Sequence, residues 1–505
     1  MVVENQRTRF LITAVVMAAA ILQILDTTIV TVALPHMQGQ LGANTEQIGW
    51  VLTSYLISSG IFMPLTGFLT DRLGQKRYLT FSITGFVLTS MLCGIAGNLQ
   101  EIVIFRLLQG IAGAGLVPTA QAILINIYPR EKRGQAMAIF GVGAMVGPIL
   151  GPTLGGYLTE VLNWRWTFFI NLPVGILALL GALFFIPETE TRERRIDWIG
   201  FSFLVLAVSC MQYVLDQGQQ QGWFQSHTIQ VFTFLSVFGY LCLILRNLEM
   251  GPRAIFHLGV FKDRNFAVSV LILATFMFSM YGALDLQPQM LESLLGYPAL
   301  TTGIVLAPRG VGAMVSMFLA GRLINRVGAK PLIVCGFFCV LFSTWVNTWY
   351  TLQIDPWWII WPIVLQGFGL GMVFVPLATV SFATLPAEWS AEAAGVRQLG
   401  RTIGASLGVS VSGAVMAHQS QVAWHQYGGH ITATSDAVRQ YLAPLHLSPD
   451  SREAAAVLGH LLRLQADFHG LLNAFEVMAL TVVLGLPLLL LISRNAGKEG
   501  HGKTA

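Results

Sequence analysis

Charge is what this chain has least of. Asp, Glu, Lys and Arg together make up 11% of its 505 residues, less than half the roughly 25% of soluble domains. Most of its surface therefore cannot face water. The formal balance of +4 is too small for a nucleic-acid footprint, and no nucleic-acid partner is expected. Cysteine is also sparse. Cys93, Cys210, Cys242, Cys335 and Cys339 all fall in apolar runs, where they read as small buried hydrophobes. Cys335 and Cys339 share a helix face but have no companion ligands, so neither a disulfide framework nor a zinc site is indicated. Catalytic constellations are missing as well. "GKEGHGKT" at 497–504 spells a P-loop, but that loop needs a strand before it and a helix after it. "GASLG" at 404–408 spells a nucleophile elbow inside an apolar helix, without strand-turn-helix context. Neither ATP use nor any enzymatic activity is expected.

What the chain has in abundance is long apolar runs, the mark of membrane-spanning helices. They predict fourteen spans, near 10–33, 48–69, 79–97, 102–125, 135–159, 166–186, 197–215, 227–246, 266–290, 299–321, 331–350, 357–381, 393–417 and 471–493. The first is too long for a signal peptide and has no small-residue cleavage site after it. The fold class is an all-α membrane protein. Basic residues test the count. Of the 29 Lys and Arg, only Arg165, Arg439, Arg452 and Arg463 fall in connections on one side. Arg106, Arg309, Arg397 and Arg401 lie within spans, and all the others share the side of the two termini. Such asymmetry places both termini in the cytoplasm. One outer connection, 418–470, is long and carries six histidines without regular ligand spacing, so it reads as a solvated loop with a docking helix rather than a metal site.

A few charges remain inside the apolar runs, and they need a reason to be there. From Phe10 to Leu34 the only ionisable residue is Asp26, within "QILDTTIVTVALP". At 1.5 Å per residue it sits roughly 24 Å up a core about 30 Å thick. Arg106, counted down from the outer end of the fourth span, reaches a similar depth. Low dielectric favours the neutral carboxyl and a nearby cation favours the carboxylate, so an Asp26–Arg106 relation could take up and release a proton. The plain alternative is a structural ion pair. Gln23, Thr27 and Thr31 extend a polar stripe from Asp26 at helical spacing. Asp285, 259 residues after Asp26, lies in the ninth span, Arg309 in the tenth, and Arg397 and Arg401 one turn apart in the thirteenth. Intramembrane charges mark function by default.

The chain also repeats itself. "GFLTDRLGQKR" from Gly67 aligns with "GRLINRVGAKP" from Gly321, and "LQGIAGAG" at 108–115 aligns with "LQGFGLG" at 365–371. Two parallel six-helix halves follow, 1–190 and 253–505, with a helix pair inserted at 191–252. Parallel halves about a midplane cavity are a secondary-transporter architecture. With "LDTTIVTVALP", "RLLQGIAGAG", "GPILGPTLGG" and "WRWTFFINLPVG", the chain resembles the major facilitator superfamily, specifically its fourteen-span drug:proton antiporters of the EmrB/QacA type.

That resemblance implies proton-coupled multidrug efflux, powered by the proton motive force rather than ATP and with no cofactor, in a bacterial inner membrane. The partners it implies are hydrophobic drugs, protons, an EmrA-like periplasmic adaptor and a TolC-like outer-membrane channel. Proton coupling is expected of Asp26, which the resemblance favours, with Arg106 as its partner in depth and Asp285 as its counterpart in the second half. A cytoplasmic latch falls to Asp71, Arg72 and Gly74, and an outer hinge to Gly147, Pro148, Gly151, Pro152 and Gly155. The substrate cavity takes Gln23, Thr27, Thr31, Gln109, Arg309, Arg397 and Arg401. Asn325 stands where the second copy would need the latch aspartate, so the two halves are not equivalent. A stand-alone exporter and a proton-coupled importer of a specific metabolite are the competing readings.

Overall fold

In lipid every backbone polar group must be satisfied within the segment, so apolar runs of this length become helices. The computed structural model describes residues 5–43, 45–129, 132–191, 197–219, 221–251, 258–386, 389–432, 435–448 and 450–491. Its long helices are α1 (Gln6–Leu41), α2 (Gln47–Leu73), α3 (Gln75–Ile95), α4 (Leu99–Ile127), α5 (Arg133–Val161), α6 (Trp166–Phe185) and α7 (Trp198–Gln217). They continue as α8 (His227–Met250), α9 (Arg264–Leu294), α10 (Thr301–Val327), α11 (Ala329–Asn347), α12 (Pro356–Ala383), α13 (Ser390–Gly428) and α14 (Arg452–Leu491). Twelve are long and apolar enough to cross a membrane. The other two, α5 and α13, have 29 and 39 residues, more than the roughly 20 a crossing needs. The arrangement is consistent with fourteen crossings. The 497–504 string and Arg130, Arg192, Arg194, Arg195, Arg253, Arg494, Lys498 and Lys503 lie outside the described residues.

Helix starts follow ordinary capping chemistry. Asn98 accepts from the Glu101 amide at 2.9 Å while Glu101 reaches back to the Gly97 amide at 2.8 Å, which satisfies otherwise orphaned donors at the start of α4. Asp263 and Asp355 cap α9 and α12 through the amides of Phe266 and Trp357. The repeat is visible in the backbone: Gly74 and Gly328 both hold a left-handed φ, +83° and +89°, at the ends of α2 and α10, a conformation that favours glycine.

Contacts across the two helix groups gather at the ends near the N-terminus and the basic connections, here called the basic face. A Cβ on Gly134 in α5 would lie 2.8 Å from Ile324 of α10, and one on Gly141 2.7 Å from the Met317 sulfur. One on Gly395 in α13 would meet the Met63 carbonyl of α2 at 3.1 Å, and Arg133 donates to the Phe382 carbonyl of α12 at 3.4 Å. This conformation is thus sealed at the basic face. The pair α7–α8 packs beside α2, with Phe201 edge-on to Phe62 at 5.4 Å and Tyr213 tilted against Trp50 at 6.4 Å.

The long outer connection differs from the sequence expectation. α13 runs on to Gly428 and α14 begins at Arg452, so much of 418–470 continues the two helices. Hydropathy could not show this, because a helix leaving lipid turns polar without ending. Val438 and Leu442, on the short helix Asp436–Leu442, cover Ala454 and Leu458, and Leu462 lies against Gly428. The apolar stripe of 455–462 is thus partly covered within the chain rather than presented free. The cysteine reading also needs correction: Cys93 and Cys210 are buried, but Cys242 and Cys339 are half-buried and Cys335 is exposed.

Candidate functional site

Asp26 and Arg106 meet. The Arg106 Nη1 donates to Asp26 Oδ2 at 2.6 Å, and both side chains have no solvent exposure. Gln109, one turn along α4, donates to Asp26 Oδ1 at 2.9 Å and accepts from the same Nη1 at 2.8 Å. Asn171 of α6 donates to Oδ1 at 2.9 Å and to Ser90 Oγ of α3 at 3.0 Å. Arg106 Nε donates to the Val51 carbonyl of α2 at 3.0 Å, and its guanidinium carbon stands 4.2 Å from the centre of the Tyr55 ring. Three donors on one carboxyl group is the coordination of the anion, which only accepts. One ion pair therefore ties together α1, α2, α3, α4 and α6.

Sequence reasoning missed Asn171, Ser90, Val51 and Tyr55. For Asn171 a signal existed, a lone amide in the apolar run 166–186. The polar stripe along α1, by contrast, does not assemble around Asp26. Thr27 and Thr31 bond their own helix, to the carbonyls of Ile24 and Thr28 at 2.8 and 2.7 Å, the usual recourse of a mid-helix hydroxyl. Gln23 accepts from the Val117 amide at 3.2 Å. That amide is freed because α4 breaks between Gly113 and Leu116, so Gln23 caps the second half of α4.

The glycine run of α5 lies along the helix that carries Asp26. A Cβ on Gly147 would stand 2.7 Å from Ile24 Cγ2, and one on Gly155 2.8 Å from the Ile29 carbonyl; Gly151 faces Thr28. Thr28 Oγ1 crosses to the Gly147 carbonyl at 3.1 Å. Small residues here permit the backbone approach. Pro148 and Pro152 lie within α5, and their side chains are outside the described set. At the basic face, Arg72 is exposed and Asp71 half-buried. The Gly74 turn is held by the segment after α6, where Thr189 Oγ1 accepts from the Gln75 amide at 2.7 Å and Arg77 pairs with Glu188 at 3.5 Å.

The remaining assigned charges do not join this centre. Asp285 accepts from Gln289 of its own helix at 2.9 Å. Arg309 donates to Gln287. Arg397 is buried with its guanidinium carbon 5.1 Å from the Phe374 ring centre, and Arg401 is half-buried.

The family model of the Major Facilitator Superfamily matches residues 16–409. The chain belongs to that superfamily. Within it, the chain is 34% identical to the multidrug export protein EmrB of Escherichia coli strain K12, covering 78% of this chain and 77% of that one. It is also 34% identical to the fatty acid resistance protein FarB of Neisseria gonorrhoeae, over 87% of each. Among solved structures, the proton:xylose symporter XylE has the same fold with a TM-score of 0.66 at 16% identity, over 98% of both chains. The human organic anion transporter MFSD10 matches with a TM-score of 0.65 at 15% identity, over 95% of this chain and 99% of that one. These two show the superfamily fold alone. The chain is a multi-pass membrane protein.

Proposed function

We propose that this protein exports hydrophobic toxic compounds by antiport against inward-moving protons, from the cytoplasmic membrane of a bacterium. Its named relatives support multidrug efflux, and the observation that carries the coupling is the Asp26–Arg106 pair, ionised in form and shut off from solvent. A buried carboxylate already matched by a cation needs a proton to leave that cation. Protonating it would release Arg106 and loosen the five helices the pair ties together. The cycle then has two arrangements with different proton affinity, the minimum that coupling requires. The proton motive force is the energy source, with Asp285 outside the coupling centre. With the basic face in the cytoplasm, the described conformation is the one closed to the cytoplasm. The test is drug-driven proton movement in proteoliposomes holding only this protein. Adding substrate on the loaded side should alkalinise the side the proton leaves, and no pH change with any of several hydrophobic compounds would overturn the reading. The direction of dye movement separates export from import.

The outer extension is the proposed contact for a periplasmic adaptor that leads on to an outer-membrane channel. Tyr441 and Leu445 are exposed there, on a segment that already buries its own small core. Replacing 430–450 with a short Gly/Ser linker should leave vesicle transport intact while co-purification with an adaptor is lost. Undiminished co-purification would remove this segment from the interface.

A further inference from the structure

The second helix group contains a half-buried cation without an acid, Arg309. Packing shows where it belongs. In the first half, a Cβ on Gly110 of α4 would meet the Tyr55 carbonyl of α2 at 2.5 Å; in the second, Gly367 of α12 meets the Arg309 carbonyl of α10 in the same way. The repeat offsets, 254 residues for the second and third helices and 257 for the fourth, carry Tyr55 to Arg309 and Arg106 to Ile363. They also carry Ser90, Cys93 and Gln109 to Thr344, Asn347 and Gln366. The guanidinium thus moves from the fourth helix of its group to the second, and it loses its carboxylate. Among the described residues no acid lies within ion-pair distance of Arg309, and Asp285 on α9 is held by Gln289. Arg309 gives one bond to Gln287, and its Nε is buried without a partner in the protein.

The side chains brought to this place have polar atoms to spare. Gln287, Thr344, Asn347 and Gln366 have no solvent exposure. The Gln287 amide nitrogen, the Thr344 hydroxyl and both polar atoms of Asn347 and of Gln366 lack protein partners, as does the Tyr350 hydroxyl. A guanidinium does not give up its proton in a protein, and burying its charge unmatched is costly. Four amide or guanidinium N–H donors with two hydroxyls, and no carboxylate, suit one ligand chemistry.

We infer that Arg309, Gln287, Asn347 and Gln366 form an anion site in the second half, at the place the internal repeat pairs with the Asp26–Arg106 centre, and that it takes a monovalent anionic group. The source is either the carboxylate of an exported amphiphile or a free halide. In both cases the bound anion does for Arg309 what Asp26 does for Arg106. The inference rests on the export reading only for the substrate source, since halide binding needs no transport.

Equilibrium binding to the purified full-length protein in detergent tests it. One arm compares thermal stabilisation by sodium bromide and sodium gluconate at equal ionic strength. The other follows tryptophan quenching by dodecanoate, dodecanol and dodecyltrimethylammonium. Arg309→Gln should weaken binding of the effective anion by roughly tenfold to a hundredfold, the worth of one charge-assisted hydrogen bond. It should leave dodecanol and the cation unchanged. Gln366→Leu, a milder change, should weaken the same anion in the same direction and covers the case in which Arg309→Gln does not fold. Bromide sensitivity alone identifies a resident halide, and dodecanoate sensitivity alone identifies a substrate carboxylate. If neither variant alters either anion, the site is overturned. Failure of export itself would appear separately, as absent drug-driven proton movement in the unmodified protein.

Discussion

Asp26→Asn should fold, bind substrate and fail to concentrate it. The amide keeps the shape of the carboxyl group and one acceptor oxygen, and Arg106 keeps the Val51 carbonyl and Gln109 as acceptors, so the fold should survive with a lowered thermal midpoint from the unmatched guanidinium. What disappears is the titratable group. A proton moving down a potential of 100 mV supplies about 2.3 kcal/mol, enough for roughly a fifty-fold substrate gradient at 1.36 kcal/mol per tenfold. With that coupling removed, the accumulation ratio in vesicles under an imposed potential and pH gradient should fall to one. Downhill flux and equilibrium binding should persist. If the Asp26→Asn variant still builds a gradient with the original pH dependence, the pair is a structural staple and coupling lies elsewhere.

The sequence revealed this centre unevenly, for physical reasons. Depth along a helix follows from residue counting, so the sequence alone pairs Asp26 with Arg106, and the structure joins them at 2.6 Å. Rotation about each helix axis is not so readable. Thr27 and Thr31 have the spacing of a shared face, yet their hydroxyls bond their own helix. Asn171 and Ser90 reach the carboxylate network from two other helices, and no spacing within one helix encodes that convergence. In the sequence Arg309 stands only as one of several intramembrane charges assigned to the substrate cavity. Its meaning required the close α10–α12 approach at Gly367, which shows that it occupies the Tyr55 position of the repeat. Hydropathy marked where helices enter lipid and said nothing of where they end beyond it, hence the underestimated lengths of α13 and α14.

Arg106→Ala should be more damaging than Asp26→Asn, since it leaves a buried carboxylate with only Gln109 and Asn171 as donors. Removing one member of a buried pair typically costs about 3–5 kcal/mol, and here the Val51 carbonyl contact and the packing on Tyr55 go with it. Transport should be lost and the thermal midpoint should drop. Arg106→Lys should restore part of both. A lysine carries the charge to Asp26 but cannot also span to Val51, because it lacks the planar fork. The decisive protein is the double variant Asp26→Asn with Arg106→Gln. It removes both charges, so the penalty for an unmatched buried charge vanishes and the thermal midpoint should recover well above that of Arg106→Ala. Transport against a gradient should stay absent, because no group at this position can carry the proton. Stability and uphill transport separate in this variant only if the pair couples protons; recovery of both together would leave it a structural tie among five helices.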